Sequence, residues 1–155
     1  MAKSKEEILM AAESRQVVIN EFIQKDLFAD YLGATIEVIE SGYSRVSITV
    51  TEEMANFHGT THGGLIFSLG DIAFAAASNS HGQTAVAMNV SISFLKASKP
   101  GDQLVAVAKE QHVGGKTALY EITVIEGKSG ELIAKSQNLV YRKNEWFVSP
   151  ENENA

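Results

Sequence analysis

The sequence predicts an α+β domain in which a curved antiparallel β-sheet wraps one long central α-helix, with an additional helix at the N-terminus. Three observations predict it. Residues 63–80 form a helical stretch that is apolar on nearly every side, and such a helix has to be buried. The segments flanking it alternate with period two between short turns, as antiparallel strands do. At 155 residues the chain has the length of a single domain, spanning 1–155. One apolar helix cannot hide alone, so a sheet curved around it is the economical arrangement.

Taken in order, the first 30 residues read as a helical region. Ile8, Leu9, Ala12, Val17, Ile19, Phe22 and Ile23 recur at three- and four-residue intervals among good helix formers. Gly33 is expected to close the region. From Ala34 to Thr51 the period changes: Ile36, Val38 and Ile39 precede Ser41-Gly42, and Val46, Ile48 and Val50 then alternate, giving two strands and a turn. Residues 52–62, EEMANFHGTTH, carry loop chemistry. The central helix follows over 63–80, with Gly82 as its expected stop.

Beyond it, residues 85–95 place Val86, Met88, Val90, Ile92 and Phe94 on one face, expected toward the core, and Asn89 on the other. Strands over 103–113, 117–126 and 131–142 are separated by Gly114-Gly115-Lys116 and by Gly127–Gly130. Residues 143–155 are expected to form a partly frayed extension.

Composition narrows function. A net charge of −6 argues against nucleic acid, which needs a clustered basic surface. No apolar run reaches the ~18 residues of a membrane span. Glu6 and Glu7 stand where a signal peptide has its apolar segment. With no cysteine there is no disulfide framework, thiolate nucleophile or Cys-based metal site, and a cytoplasmic location is expected. His58 and His62 lack an added carboxylate ligand, so no metal site is expected. His58 and His81 read as surface residues.

Asp71 is the informative residue. It lies between Gly70 and Ile72, and no other acid or base occurs in residues 63–80. Phe67, Asp71 and Phe74 are spaced to share a helix face. A carboxylate between two phenyl rings is desolvated and more basic, suited to activating water or attacking an acyl carbonyl directly. Gly63 and Gly64 open the helix, where free N–H groups could stabilise an oxyanion. Eight residues separate Gly63 from Asp71, about 12 Å at ~1.5 Å per residue. A single helix therefore cannot readily bring both to one carbonyl. Two antiparallel helices from a two-fold homodimer can, so a shared site is expected.

The run His62-Gly-Gly-x-x-Phe67-Ser68-Leu-x-Asp71-x-Ala-Phe74-Ala-x-Ala-Ser78-Asn79, with Asn56 six residues before His62, closely resembles the PaaI-type (phenylacetyl-CoA-type) hotdog thioesterases. The resemblance covers about residues 30 to 142. It implies an acyl-CoA substrate, an aromatic or medium-chain acyl group, no cofactor, and sites shared between subunits in a homodimer or a homotetramer built as a dimer of dimers. It also implies roles: Asp71 as nucleophile or general base, Gly63 as N–H donor to the thioester carbonyl, and Asn56 as the group that orients substrate or water. His62 is expected to hold the loop against the helix start, and Ser68 to support Asp71. Gly64, Phe67, Phe74 and Asn89 complete the expected substrate contacts. Lys96, Lys99 and Lys116 are candidates for the phosphates of coenzyme A. A non-catalytic acyl-CoA-binding module is the alternative.

Overall fold

Ser4 starts α1 (Lys5–Ile23) with a capping box: its hydroxyl accepts the Glu7 N–H, and the Glu7 carboxylate accepts the Ser4 N–H. In the computed structural model, which describes residues 1–150, this helix ends at Ile23 and does not run on to residue 30. The Asp26 carboxylate accepts the N–H groups of Phe28 and Ala29 and starts a separate helix, α2 (Leu27–Leu32). Gly33 ends α2 at φ 79°, in the left-handed region that glycine tolerates.

The strands are β1 (Thr35–Glu40), β2 (Tyr43–Thr49), β3 (Gln83–Phe94), β4 (Gln103–Val113), β5 (Thr117–Glu126) and β6 (Leu132–Trp146), with α3 (Gly63–Ser78) between β2 and β3. They form one antiparallel sheet in the order β1-β2-β4-β5-β6-β3. Helix α3 touches all six strands, which is what a sheet curved around a helix requires. Leu69, Ile72, Ala73, Phe74 and Ala77 of α3 are buried against Val46, Leu104, Ala106, Tyr120 and Ile122. Small residues allow the approach: the Ser44 hydroxyl reaches the Ala73 carbonyl at 2.5 Å. Among the described residues, no helix is long and apolar enough to cross a membrane.

Three expectations are corrected. Asn79, not Gly82, stops α3: its carboxamide donates to the Ala75 and Ala85 carbonyls and accepts the Ala85 N–H, clamping the helix end to β3. Gly82 is a close-approach site instead, where a Cβ would lie 2.8 Å from the Val148 carbonyl oxygen. Next, β3 carries a bulge between Ala87, paired with Val140, and Asn89, paired with Leu139. The extra residue reverses the alternation, so Val86 is exposed while Val90 and Ile92 pack against the core. Last, β6 runs to Trp146, Phe147 stacks on Phe22 at 4.6 Å, and Arg15 donates to the carbonyls of Val148 and Ser149. Those residues of the extension are docked; 151–155 lie outside the described residues.

Candidate active site

His62 occupies the N-cap of α3. Its Nδ1 accepts the Gly64 N–H at 2.8 Å, and its carbonyl accepts those of Leu65 and Ile66 at 3.0 and 3.3 Å. The Gly63 N–H has no acceptor among the described residues, and it stands at the positive end of the helix dipole. The two glycines therefore differ. Gly64 spends its N–H inside the cap, and a Cβ there would lie 2.9 Å from the His62 ring. Gly63 keeps its donor free and borders a cavity of about 270 Å³ with Ile66, Phe94 and Lys96.

Asn56 folds its own loop. Its Oδ1 accepts from His58 and Thr60 N–H groups, and its Nδ2 donates to the Thr60 hydroxyl at 3.0 Å, leaving one amide hydrogen uncommitted. A bridge between Ala55 and Thr61 closes the same loop, and His62 N–H returns to the Met54 carbonyl. The loop thus delivers His62 to the helix start. Ser68 donates to the Gly64 carbonyl at 2.7 Å, one turn before Asp71.

Asp71 lies two turns along α3, half-buried. Burial raises its carboxyl above the ordinary aspartate value, and the negative Asp26 at the α2 cap adds to the rise. The expected sandwich of two phenyl rings does not form. At ~100° per residue, positions 67 and 74 fall on the same side of Asp71, about 40° and 60° away. Phe67 is 40% exposed and shares a cleft with Asp71, whereas Phe74 is buried edge-on against Tyr120 in the core. Desolvation comes instead from Val90 and Ile92 of β3 and from the sheet floor, which includes Asn138 of β6. Asn138 was missed by the sequence reading. Its signal was present, since it shares the inward parity of Ala134, Ser136 and Val140 yet is polar.

On the open side of α3, a groove of about 310 Å³ runs between Ala75, Asn79, Phe22, Ile23 and Phe147, with the charged Lys25 and Asp26 on its wall. Ala75 and Asn79 follow Asp71 by one and two turns, so the groove lies further along the helix than the carboxylate, which lines the cleft with Phe67 instead. Its walls come from the N-terminal helix and the residues after β6.

The remaining candidates are dispersed. Lys96 sits beside Gly63 but is paired with Glu131. Lys116 is exposed in the β4–β5 turn, at the opposite end of the sheet, where Thr117 pairs with Tyr141. Lys99 lies in the turn closed by Asp102. Asn89 is exposed on the face of β3 away from Val90. His58 is exposed, but His81 is not an idle surface residue. Its Nε2 meets Glu110 at 2.6 Å and its Nδ1 meets Ser41 at 3.2 Å, while Tyr120 donates to the same Glu110 oxygen. Burial opposes charge on Glu110, yet the hydrogen bonds from His81 and Tyr120 hold its carboxyl below the ordinary value. The network fastens the end of α3 to the sheet. Among the described residues no cluster suited to a metal ion is found.

An antiparallel sheet curved around one buried apolar helix is the hotdog fold. The family model that matches, over residues 58–133, is that of the thioesterase superfamily. An Archaeoglobus fulgidus relative whose name marks it provisionally as an esterase is 42% identical over 139 residues, covering 88% of this chain and 90% of its own. The acyl-coenzyme A thioesterase PaaI of Escherichia coli is 42% identical over 102 residues, covering 66% and 73%. The solved structure of that PaaI protein, from the phenylacetic acid degradation operon, superposes with a TM-score of 0.81 at 34% identity, covering 86% of this chain and 96% of that one. A Streptococcus mutans protein solved with bound acetyl-CoA matches at TM-score 0.68 and 30% identity, covering 71% and 88%. This chain belongs to the thioesterase superfamily and is a thioester hydrolase.

Proposed function

We propose that the chain hydrolyses acyl-CoA thioesters with an aromatic or medium-chain acyl group, releasing the free acid and coenzyme A. The carrying observation is Asp71, a lone acid in an apolar helix, half-buried one turn before a groove with Phe22 and Phe147 on its walls. The ionised carboxylate takes a proton from water as the water oxygen attacks the thioester carbon and passes that proton to the departing sulfur, or attacks that carbon itself to give an acyl-aspartate anhydride that a water then hydrolyses to the free acid. The Gly63 N–H receives the developing oxyanion, the C–S bond breaks, and the thiolate leaves with a proton. The spare amide hydrogen of Asn56 orients the carbonyl or the water. The groove lined by Phe22 and Phe147 accepts the acyl group; its size suits a phenyl ring or a medium chain.

The reading places each site across a two-fold axis. Gly63 and Asp71 belong to one continuous helix, so they stay about 12 Å apart within a chain. Strand β3 is an edge with Val86, Met88 and Phe94 exposed, which supports edge-to-edge pairing of two copies. Lys96 and Lys116 lie at opposite ends of the sheet, and antiparallel pairing would bring one chain's Lys96 end to the other's Lys116 end, where both can meet coenzyme A phosphates. Apolar groups left exposed by α1, among them Leu9, Val18 and Phe22, support a second contact and a homotetramer. A cytoplasmic location accords with the absence of cysteine.

The test is a panel of acyl-CoAs with thiol release followed, for the wild type and Asp71→Asn. The expected result is turnover of aromatic or medium-chain substrates that falls about 10²–10⁴-fold in the variant. Tight acyl-CoA binding without turnover by the wild type would instead identify a binding module.

A further inference from the structure

We propose that Asn138 holds an ordered water against Asp71 and thereby fixes the carboxylate's orientation, making Asn138 a positioning residue; this rests on the reading of Asp71 as the reacting group. Asn138 lies in the middle of β6, paired with Tyr120 of β5 and Val90 of β3, and is 2% exposed. Its Oδ1 is buried without a hydrogen-bond partner among the described residues. Leaving a buried amide oxygen unmet is destabilising, because the desolvation of the group is not offset by a hydrogen bond. Neighbouring inward positions on the same strand, Ala134 and Val140, avoid that cost by being apolar.

The space beside it explains the polar choice. Asn138 and Asp71 line one cavity of about 10 Å³, walled by Phe67, Val90, Ile92 and Ile122. That volume admits the centre of one water molecule and nothing larger. A water there needs two to four polar partners, and besides Lys135 at the rim three polar side chains line the cavity: Asp71, Asn138 and Ser136. An amide presents a donor and an acceptor side by side, so it can accept one hydrogen of the water while the other points at Asp71. The carboxylate oxygen facing the sheet is then held, and the second oxygen is turned to the open side of α3.

The charged groups around this carboxylate are few. Asp26 faces it from α2, and Lys135 of β6 reaches the cavity rim but is paired with Glu121 of β5 at 3.6 Å. In the proposal the water donates to Asp71 from the sheet side. Its loss would disfavour the ionised form.

The test compares Asn138→Leu, which matches the volume without polarity, with Asn138→Thr, which keeps a donor and an acceptor. In Asn138→Leu, the acid limb of kcat/KM is expected to move up by about one pH unit, a roughly tenfold loss on that limb. KM on the pH plateau should stay unchanged, and Asn138→Thr should keep the limb near the wild-type position. A folded Asn138→Leu enzyme with wild-type limb and kcat would overturn the proposal. If that variant does not fold, a high-resolution structure of the wild type decides: the proposal requires an ordered water within hydrogen-bond distance of both side chains, and fails without it. The Asp71 reading fails separately, if Asp71→Asn retains turnover.

Discussion

Helices α1 and α3 differ little in length, at 19 and 16 residues, and almost completely in what holds them. Helix α3 buries ten of its residues in the sheet; α1 buries only Ile19. Beside Ile19 and the Phe22–Phe147 stack, what fastens α1 is polar. Arg15 donates to the carbonyls of His81, Val148 and Ser149, Asn20 to that of Ile39, and Gln24 to that of Ile36. The difference teaches a division of labour: α3 is a rigid core element that can carry a misfit acid, and α1 is a cover whose position tunes a groove. A group held in a packed helix keeps its geometry, as catalysis demands. A wall made of α1 can vary without endangering the fold.

The largest expected effect falls on the misfit. Asp71→Asn should abolish most turnover yet fold at least as well as the wild type, because the variant removes a carboxylate that burial disfavours. The sign follows from the raised folded-state pKa: between the ordinary aspartate value of 3.8 and that raised value, the native state binds more protons, so stability falls as pH rises. Thermal melts should match at low pH and favour Asp71→Asn near neutrality. A large loss of stability near neutrality would instead make Asp71 structural. Wild-type activity should disappear on acidification at a pH above 3.8.

Next in size comes Leu69→Ala, which should cost about 2–5 kcal/mol in denaturant titration, since Leu69 is fully buried. Val18→Asp, on the half-exposed face of α1, should leave the chain folded and shift sedimentation from the proposed tetramer to a dimer. Unfolding by Val18→Asp would break the comparison.

Arg15→Ala should have the smallest global effect, about 1–2 kcal/mol for charge-assisted bonds that are partly solvent-exposed. Its signature is local. Hydrogen exchange should quicken in α1 and around 147–149, while α3 remains protected. Equal protection in both helices would contradict the division.

Much of this was legible in the sequence, for physical reasons that also set the limits. An all-round apolar helix between alternating segments admits few folds, so the sheet and α3 could be read, and an acid within that helix stands out as a candidate. The break at Asp26 could not, because apolar spacing continues across it while a local cap overrides it. The β3 bulge escaped for the same reason: alternation runs unbroken through Met88, and only pairing with β6 reveals the extra residue. Phe74 was misplaced by treating shared spacing as two-sided contact. Asn138 is remote in sequence from Asp71, and only closure of the sheet puts it beneath that carboxylate.

The central claim is that one chain's Asp71 works with its partner's Gly63. It can be tested by complementation between Asp71→Asn and Gly63→Pro. Proline fits the first helical position and lacks the N–H, and His62, at φ −62° and ψ 134°, already has the backbone that a following proline requires. Each variant alone should be nearly inactive. Mixed one to one through refolding, half the dimers become hybrids with one intact site, so activity should return to about a quarter of wild type. No recovery, with hybrid formation verified, would mean that each site is built within a single chain.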